Sequence, residues 1–241
     1  MNTIDDEIQT IRAGTFSFSG VRPSALGATE YTLVTFMRDV TGSTRDFADE
    51  LLESLKSAVE ACRKSQFSEN LLFRCAEFNT KVHEIHGFIE LAKVDTATYQ
   101  RPDPKGMTAL YDATYAAVRA TNDYARSLTD NDFNVNGIVF VVTDGDDTDS
   151  TQTAASVAEE ITRGVRDECL ESLRVILVGL NAQRYKAKLE TFLDEAKLSQ
   201  YVDIADATPK NLAAFARFVG QSVSSQAQSR GTGGPSAPVT W

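Results

Sequence analysis

The feature that most limits what this chain can fold into is a change of apolar period repeated along most of its length. Runs rich in β-branched and aromatic residues give way to stretches whose apolar residues recur every three or four positions, as on one face of a helix. Tyr31 to Met37 is the first such run, and it stops at Asp39-Val40-Thr41-Gly42-Ser43-Thr44. A helix follows almost at once, with Phe47, Leu51, Leu55, Val59 and Cys62 spaced 4, 4, 4 and 3 apart. Leu71 to Phe78 and Val82 to Leu91 read as strands joined by the hairpin-length Asn79-Thr80-Lys81. After a loop marked by Pro102, Pro104 and Gly106, a second amphipathic helix carries Leu110, Ala113, Ala117, Ala120 and Tyr124. Ile138-Val139-Phe140-Val141-Val142 is apolar throughout, as suits a strand covered on both faces, and ends at Thr143-Asp144-Gly145. A helix (Ala154, Val157, Ile161, Val165), a strand (Val175 to Val178), a helix (Tyr185, Leu189, Phe192, Leu193), a strand (Tyr201 to Ile204) and a helix (Leu212, Phe215, Val219) complete the series.

Strand alternating with helix implies an α/β fold: a doubly wound, mostly parallel central sheet, Rossmann-like, with helices on both faces. The 71–91 hairpin supplies one antiparallel edge strand. The domain is expected over residues 30–222. Residues 1–29, with an alternating Thr15-Phe16-Ser17-Phe18-Ser19 that fits an edge strand, read as an extension packed on it. Residues 223–241 hold Ser224, Ser225, Ser229 and Ser236, three Gly, two Pro and the single charge of Arg230, a composition that reads as a flexible tail.

Charge and cysteine content narrow the partners. The formal net charge is −10, so there is no general basic surface to neutralise a phosphate backbone or an anionic leaflet, and neither nucleic acid nor membrane is expected as partner. No segment approaches the roughly 18 apolar residues of a spanning helix, and no leader pattern opens the chain. Cys62, Cys75 and Cys169 are odd in number, far apart and outside any CxxC pair, which reads as buried, reduced thiols in a cytoplasmic protein.

In a doubly wound sheet, ligands bind beyond the carboxyl ends of the strands. Three polar clusters fall there: Asp39-Val40-Thr41-Gly42-Ser43, Gly106-Met107-Thr108-Ala109-Leu110 and Thr143-Asp144-Gly145. Together they offer two carboxylates and three hydroxyls, a hard oxygen set suited to Mg2+ or Mn2+. Taken singly, each has a plainer reading as a helix cap or a turn. The run Asp144, Asp146, Asp147, Asp149 is no EF-hand, since Asp149 stands where Gly is required and Ala155 where Glu is; it reads as a solvated acidic rim. His83 and His86 lie three apart in a strand and so face opposite ways. No HExxH, GxxxxGK[ST] or GxSxG motif is present.

DxTGS, GMTAL and TDG, in this order and these strand contexts, resemble the metal-ion-dependent adhesion site (MIDAS) of von Willebrand factor type A (vWA) domains. The resemblance covers Tyr31 to about Ser222 and implies that Asp39, Thr41, Ser43, Thr108 and Asp144 hold the ion. It departs from the family pattern at Thr41, where Ser is usual, and at Arg38, which sets a cation beside the Asp. It implies a non-enzymatic, metal-dependent binding module that engages an Asp or Glu of a partner protein, with a MoxR-type AAA+ ATPase as one class of partner. The alternative is an Mg2+-dependent hydrolase in which Asp39 or Asp144 serves as base to a metal-bound water.

Overall fold

The computed structural model describes residues 7–229 and 236–241. Among them, eight strands form one sheet in the order β1-β2-β5-β4-β3-β6-β7-β8. The strands are β1 Ile8–Ala13, β2 Phe16–Val21, β3 Glu30–Asp39, β4 Leu71–Phe78, β5 Val82–Glu90, β6 Asn134–Thr143, β7 Leu173–Leu180 and β8 Gln200–Ile204. The helices are α1 Ala48–Arg63, α2 Leu110–Thr129, α3 Ala154–Arg166, α4 Lys186–Glu195 and α5 Pro209–Gln228. Strands β3, β4, β6, β7 and β8 are mutually parallel, and β5 runs against β4. No helix of the described residues is long and apolar enough to cross a membrane.

The two-residue period sorts the central strands between two cores. Leu33 and Met37 of β3, Val139 and Val141 of β6, and Val175 and Leu177 of β7 pack with α2, α3 and α4. The residues between them, Val34 and Phe36, Ile138, Phe140 and Val142, and Ile176 and Val178, pack with α1 and α5. Burial on both faces explains why these strands carry no polar side in the sequence. The three cysteines are free and buried.

The N-terminal region is more than an extension laid on the domain. Strand β2 lies parallel to β5, and β1 pairs with β2 in antiparallel, so the sheet continues two strands beyond the expected edge strand β5. Strand β1 therefore runs the same way as β3, and the turn at Gly14 lies at the carboxyl end of the sheet. Gly87 of β5 makes the junction: a Cβ there would stand 1.9 Å from the Ser19 carbonyl oxygen. Tyr124 of α2 closes it from above, donating to the Val21 carbonyl at 2.8 Å. Residues 1–6 of the expected extension lie outside the described residues.

The C-terminal segment differs from expectation. Helix α5 runs on to Gln228 with Val223, Gln226 and Ala227 buried, so 223–228 is helix, not tail. Ser236 is buried, Val239 packs against the α1–α5 core, and Trp241 meets Phe218 edge-on at 5.7 Å. Composition misleads here because these residues dock on a surface that β7, β8 and α5 have already built, and so require no core of their own. Residues 230–235 lie outside the described residues.

Candidate metal centre

Strand β3 delivers Asp39 to the carboxyl edge of the sheet, and the chain leaves it through a 3-10 turn, Gly42–Phe47, before α1. That turn folds Thr41 and Ser43 back over the strand end. Strand β6, the parallel neighbour of β3, delivers Thr143 and Asp144 alongside. The 102–109 loop is tied to the same edge: Lys105 N donates to the Val40 carbonyl at 3.0 Å, and Gly42 N to the Gly106 carbonyl at 3.3 Å.

The side chains form a continuous oxygen relay. Asp39 accepts the Thr41 amide at 2.8 Å on Oδ1 and the Thr143 hydroxyl at 2.7 Å on Oδ2. Thr41 Oγ1 and Ser43 Oγ are 3.0 Å apart, and Ser43 Oγ donates to Asp144 Oδ1 at 3.0 Å. Thr108 lies beside the Asp144–Gly145 turn, its Oγ1 standing 4.0 Å from where a Cβ on Gly145 would lie. Asp39, Thr41, Ser43 and Asp144 thus stand together with Thr108 near by, and Asp39 and Thr41 are almost wholly buried.

Burial sets the electrostatics. Removal from water, and then the neighbouring Asp144 carboxylate, push the Asp39 pKa up to about 7, against the opposing pull of hydrogen bonds from Thr41 and Thr143. Burial also raises Asp144, while the Ser43 hydroxyl lowers it. Two buried carboxyls with no cation among their contacts in the described residues favour a positive charge between them.

The donor chemistry fits a small hard cation. Among the described residues no group of three or more His, Cys, Asp or Glu can hold a metal, so any ion here depends on hydroxyls as well as carboxylates. Adjacent ligands of an octahedral ion bound at about 2.0–2.1 Å are about 2.9 Å apart. The 3.0 Å steps from Thr41 through Ser43 to Asp144 match that edge.

Several neighbours resolve differently from their sequence reading. Arg38 turns to the opposite side of β3 from Asp39 and pairs with Glu77 at 3.0 Å, so its cation does not enter the site. His83 is exposed, while His86 bonds the Tyr99 hydroxyl at 2.7 Å, so the two share no ion. The acidic run is not simply a solvated rim: Asp147 Oδ1 accepts the Tyr111 amide at 3.2 Å at the start of α2, and Asp146 pairs with Lys188. Thr148 holds the Thr108 backbone, its hydroxyl accepting the Thr108 amide at 3.0 Å and its amide donating to the Thr108 carbonyl at 2.8 Å.

Thr143 is the functional residue that sequence reasoning passed over, although it stands inside the TDG motif. Its hydroxyl donates to Asp39 and accepts the Gly145 amide at 3.2 Å, fixing both carboxylate-bearing loops. Thr143→Val removes the donor that favours the charged form of Asp39. The pH midpoint of Mg2+ binding is expected to move up by about half a unit or more, with about 1–3 kcal/mol lost in stability. A titration of Mg2+ affinity against pH in which the two proteins coincide removes Thr143 from this role.

The chain matches no family model and no curated protein. Solved structures share its fold. It is similar to the pilus adhesin SpaC from Lactobacillus rhamnosus GG in its open conformation, at 11% identity and TM-score 0.56, covering 81% of this chain and 30% of that one. It is similar to proximal thread matrix protein 1 of the mussel byssus with a zinc-occupied MIDAS motif, at 14% identity and TM-score 0.54, covering 80% and 46%. The ArnB paralog VWA2 from Sulfolobus acidocaldarius matches at 12% identity and TM-score 0.52, covering 83% and 46%. The chain spans less than half the length of each of these three. With the sheet order, the paired cores and these neighbours together, the chain has a vWA-like fold.

Proposed function

We propose that this chain is a non-enzymatic protein-binding module that holds an acidic side chain of a partner protein through a divalent cation bound by Asp39, Thr41, Ser43, Thr108 and Asp144. The observation that carries this reading is the relay of hydroxyl and carboxylate oxygens from Thr41 through Ser43 to Asp144 beside a buried Asp39. Mg2+ or Mn2+, when bound, supplies a positive centre with room for one more oxygen. Thr41, Ser43 and Thr108 contribute neutral donors, and where a carboxylate acts through a water instead of directly the ion's charge is under-neutralised in its own shell, which favours a carboxylate from outside. The zinc-occupied MIDAS of the mussel byssus protein supports a divalent ion in this fold.

The same geometry weighs against the hydrolase reading. The carboxyl whose pKa is set near neutrality, Asp39, is fully buried, and both its oxygens are engaged by Thr41 and Thr143. It is therefore poorly placed to take a proton from water in an open cleft. A cytoplasmic setting, in keeping with the three free thiols, and a MoxR-type AAA+ ATPase as partner belong to the same proposal.

The test is capture from lysate by the immobilised chain in Mg2+, in Mn2+ and in EDTA, with Asp144→Ala as control. A protein retained by the wild type with metal, and lost from both EDTA and Asp144→Ala, is the expected result. Capture indifferent to metal and to Asp144 overturns the reading.

A further inference from the structure

We propose that the cleft between the β1–β2 turn, the β4–β5 turn and α2 is the second half of the partner-binding surface, taking the residues that flank the acidic side chain at the metal. This rests on the metal-dependent reading above and adds to it the class of segment that the site accepts: an extended stretch with an apolar residue and a second carboxylate beside the metal-binding one.

Topology places the cleft. Because β1 runs parallel to β3, the turn at Gly14 and Thr15 rises at the same end of the sheet as the metal residues, next to the 79–81 turn. Ala109, which follows the metal residue Thr108, donates its amide to the Asn79 carbonyl at 3.0 Å and also lines the cleft. Metal site and cleft therefore share a wall. The cleft measures ≈ 530 Å³. That volume is within the roughly 300–1,000 Å³ range of ligand clefts.

Its chemistry selects the occupant. Ala13, Phe16, Ala116 and the half-buried Tyr115 ring give it an apolar lining. Two cations and one carboxylate border it. Arg119 is taken up by Asp123 at 2.8 Å and Glu160 at 3.7 Å. Asp112 is satisfied by the amides of Thr151 at 3.0 Å and Gln152 at 2.6 Å. Lys81 is exposed and pairs with no carboxylate among the described residues, on a chain of net charge −10. An unpaired ammonium on the rim of a cleft that is apolar only in part, beside the wall it shares with the metal residues, matches a second acidic group on the same partner segment.

A displayed peptide library with one fixed Asp and randomised flanks, panned on the full chain in Mg2+ and in EDTA, tests this. The expected peptides depend on metal and carry apolar and acidic residues on one side of the fixed Asp. Lys81→Glu, on the surface, is expected to exchange the acidic preference for a basic one and to weaken the selected wild-type peptides about tenfold, at unchanged melting temperature. Tyr115→Ala is expected to relax the apolar preference. Metal-dependent capture with no flank preference, or with one that neither variant alters, overturns the cleft and leaves the metal reading standing. Absence of any metal-dependent capture overturns both.

Discussion

Asp39→Asn is expected to stabilise the metal-free protein at pH 8 and to abolish its stabilisation by Mg2+. The folded state raises the Asp39 pKa from 3.8 to about 7. Between those values the native protein keeps a proton that the unfolded chain has released, so stability falls as pH rises through that window. A shift of roughly 3 units corresponds to about 4 kcal/mol by pH 8. An Asn side chain is already neutral and avoids that loss, and the Thr143 hydroxyl can rotate to accept from its amide. For a domain of this size about 2–4 °C accompanies each kcal/mol, so a gain of roughly 8–16 °C is expected at pH 8. Below pH 4 the two proteins should converge. In the wild type a saturating ion offsets the same cost, and its effect on melting temperature should be larger at pH 8 than at pH 6, because binding has a proton to displace at the lower pH. Thermal melts of both proteins at both pH values, with and without Mg2+, check this. An Asp39→Asn variant that is no more stable at pH 8, or that still responds to Mg2+, removes Asp39 from the site.

Much of the architecture was legible because it is local. The alternation of Val34 with Leu33, or of Ile138 with Val139, decides which core each residue joins, and a strand's period is written in adjacent positions. Four of the candidate residues, Asp39, Thr41, Ser43 and Asp144, were legible as short motifs at strand ends, and Thr108 as a hydroxyl in the loop before α2. The role of Thr143 was not, because it depends on an oxygen 104 positions away in the chain. The alternating Thr15 to Ser19 showed a strand but not where it pairs: its place beside β5 depends on Gly20 and Gly87, where Ser19 presses on Gly87 and the Tyr124 ring on Gly20 so closely that no side chain fits at either. The acidic run was misjudged because a sequence shows the charge of Asp147 but not the helix amide that it accepts.

Removal of residues 229–241 is expected to lower the melting temperature by about 5–10 °C while leaving Mg2+ affinity unchanged. Arg174 is buried and donates to the Ala237 carbonyl at 3.0 Å and to the Ser236 carbonyl at 3.3 Å. Ser236 donates in turn to Gln226 Oε1 at 2.8 Å. Gln226 is the fastening of α5 to the sheet, through the Gly137 carbonyl at 3.0 Å and the Ser172 hydroxyl at 2.9 Å. Farther along, Gln200 donates to the Val239 carbonyl at 3.0 Å, and the Trp241 indole to the Asp203 carbonyl at 3.1 Å. Truncation strips acceptors from a buried guanidinium and uncovers Phe218, which together cost about 2–4 kcal/mol. Trp241→Ala removes the ring contact and one hydrogen bond, and about a third of that loss is expected. Arg174 and Gly137 lie toward the amino ends of β7 and β6, the opposite end of the sheet from Asp39 and Asp144. An unchanged melting temperature shows that the segment adds nothing to α5. A lower temperature accompanied by altered Mg2+ affinity shows instead that the helix transmits the state of its C-terminal fastening to the metal end of the sheet.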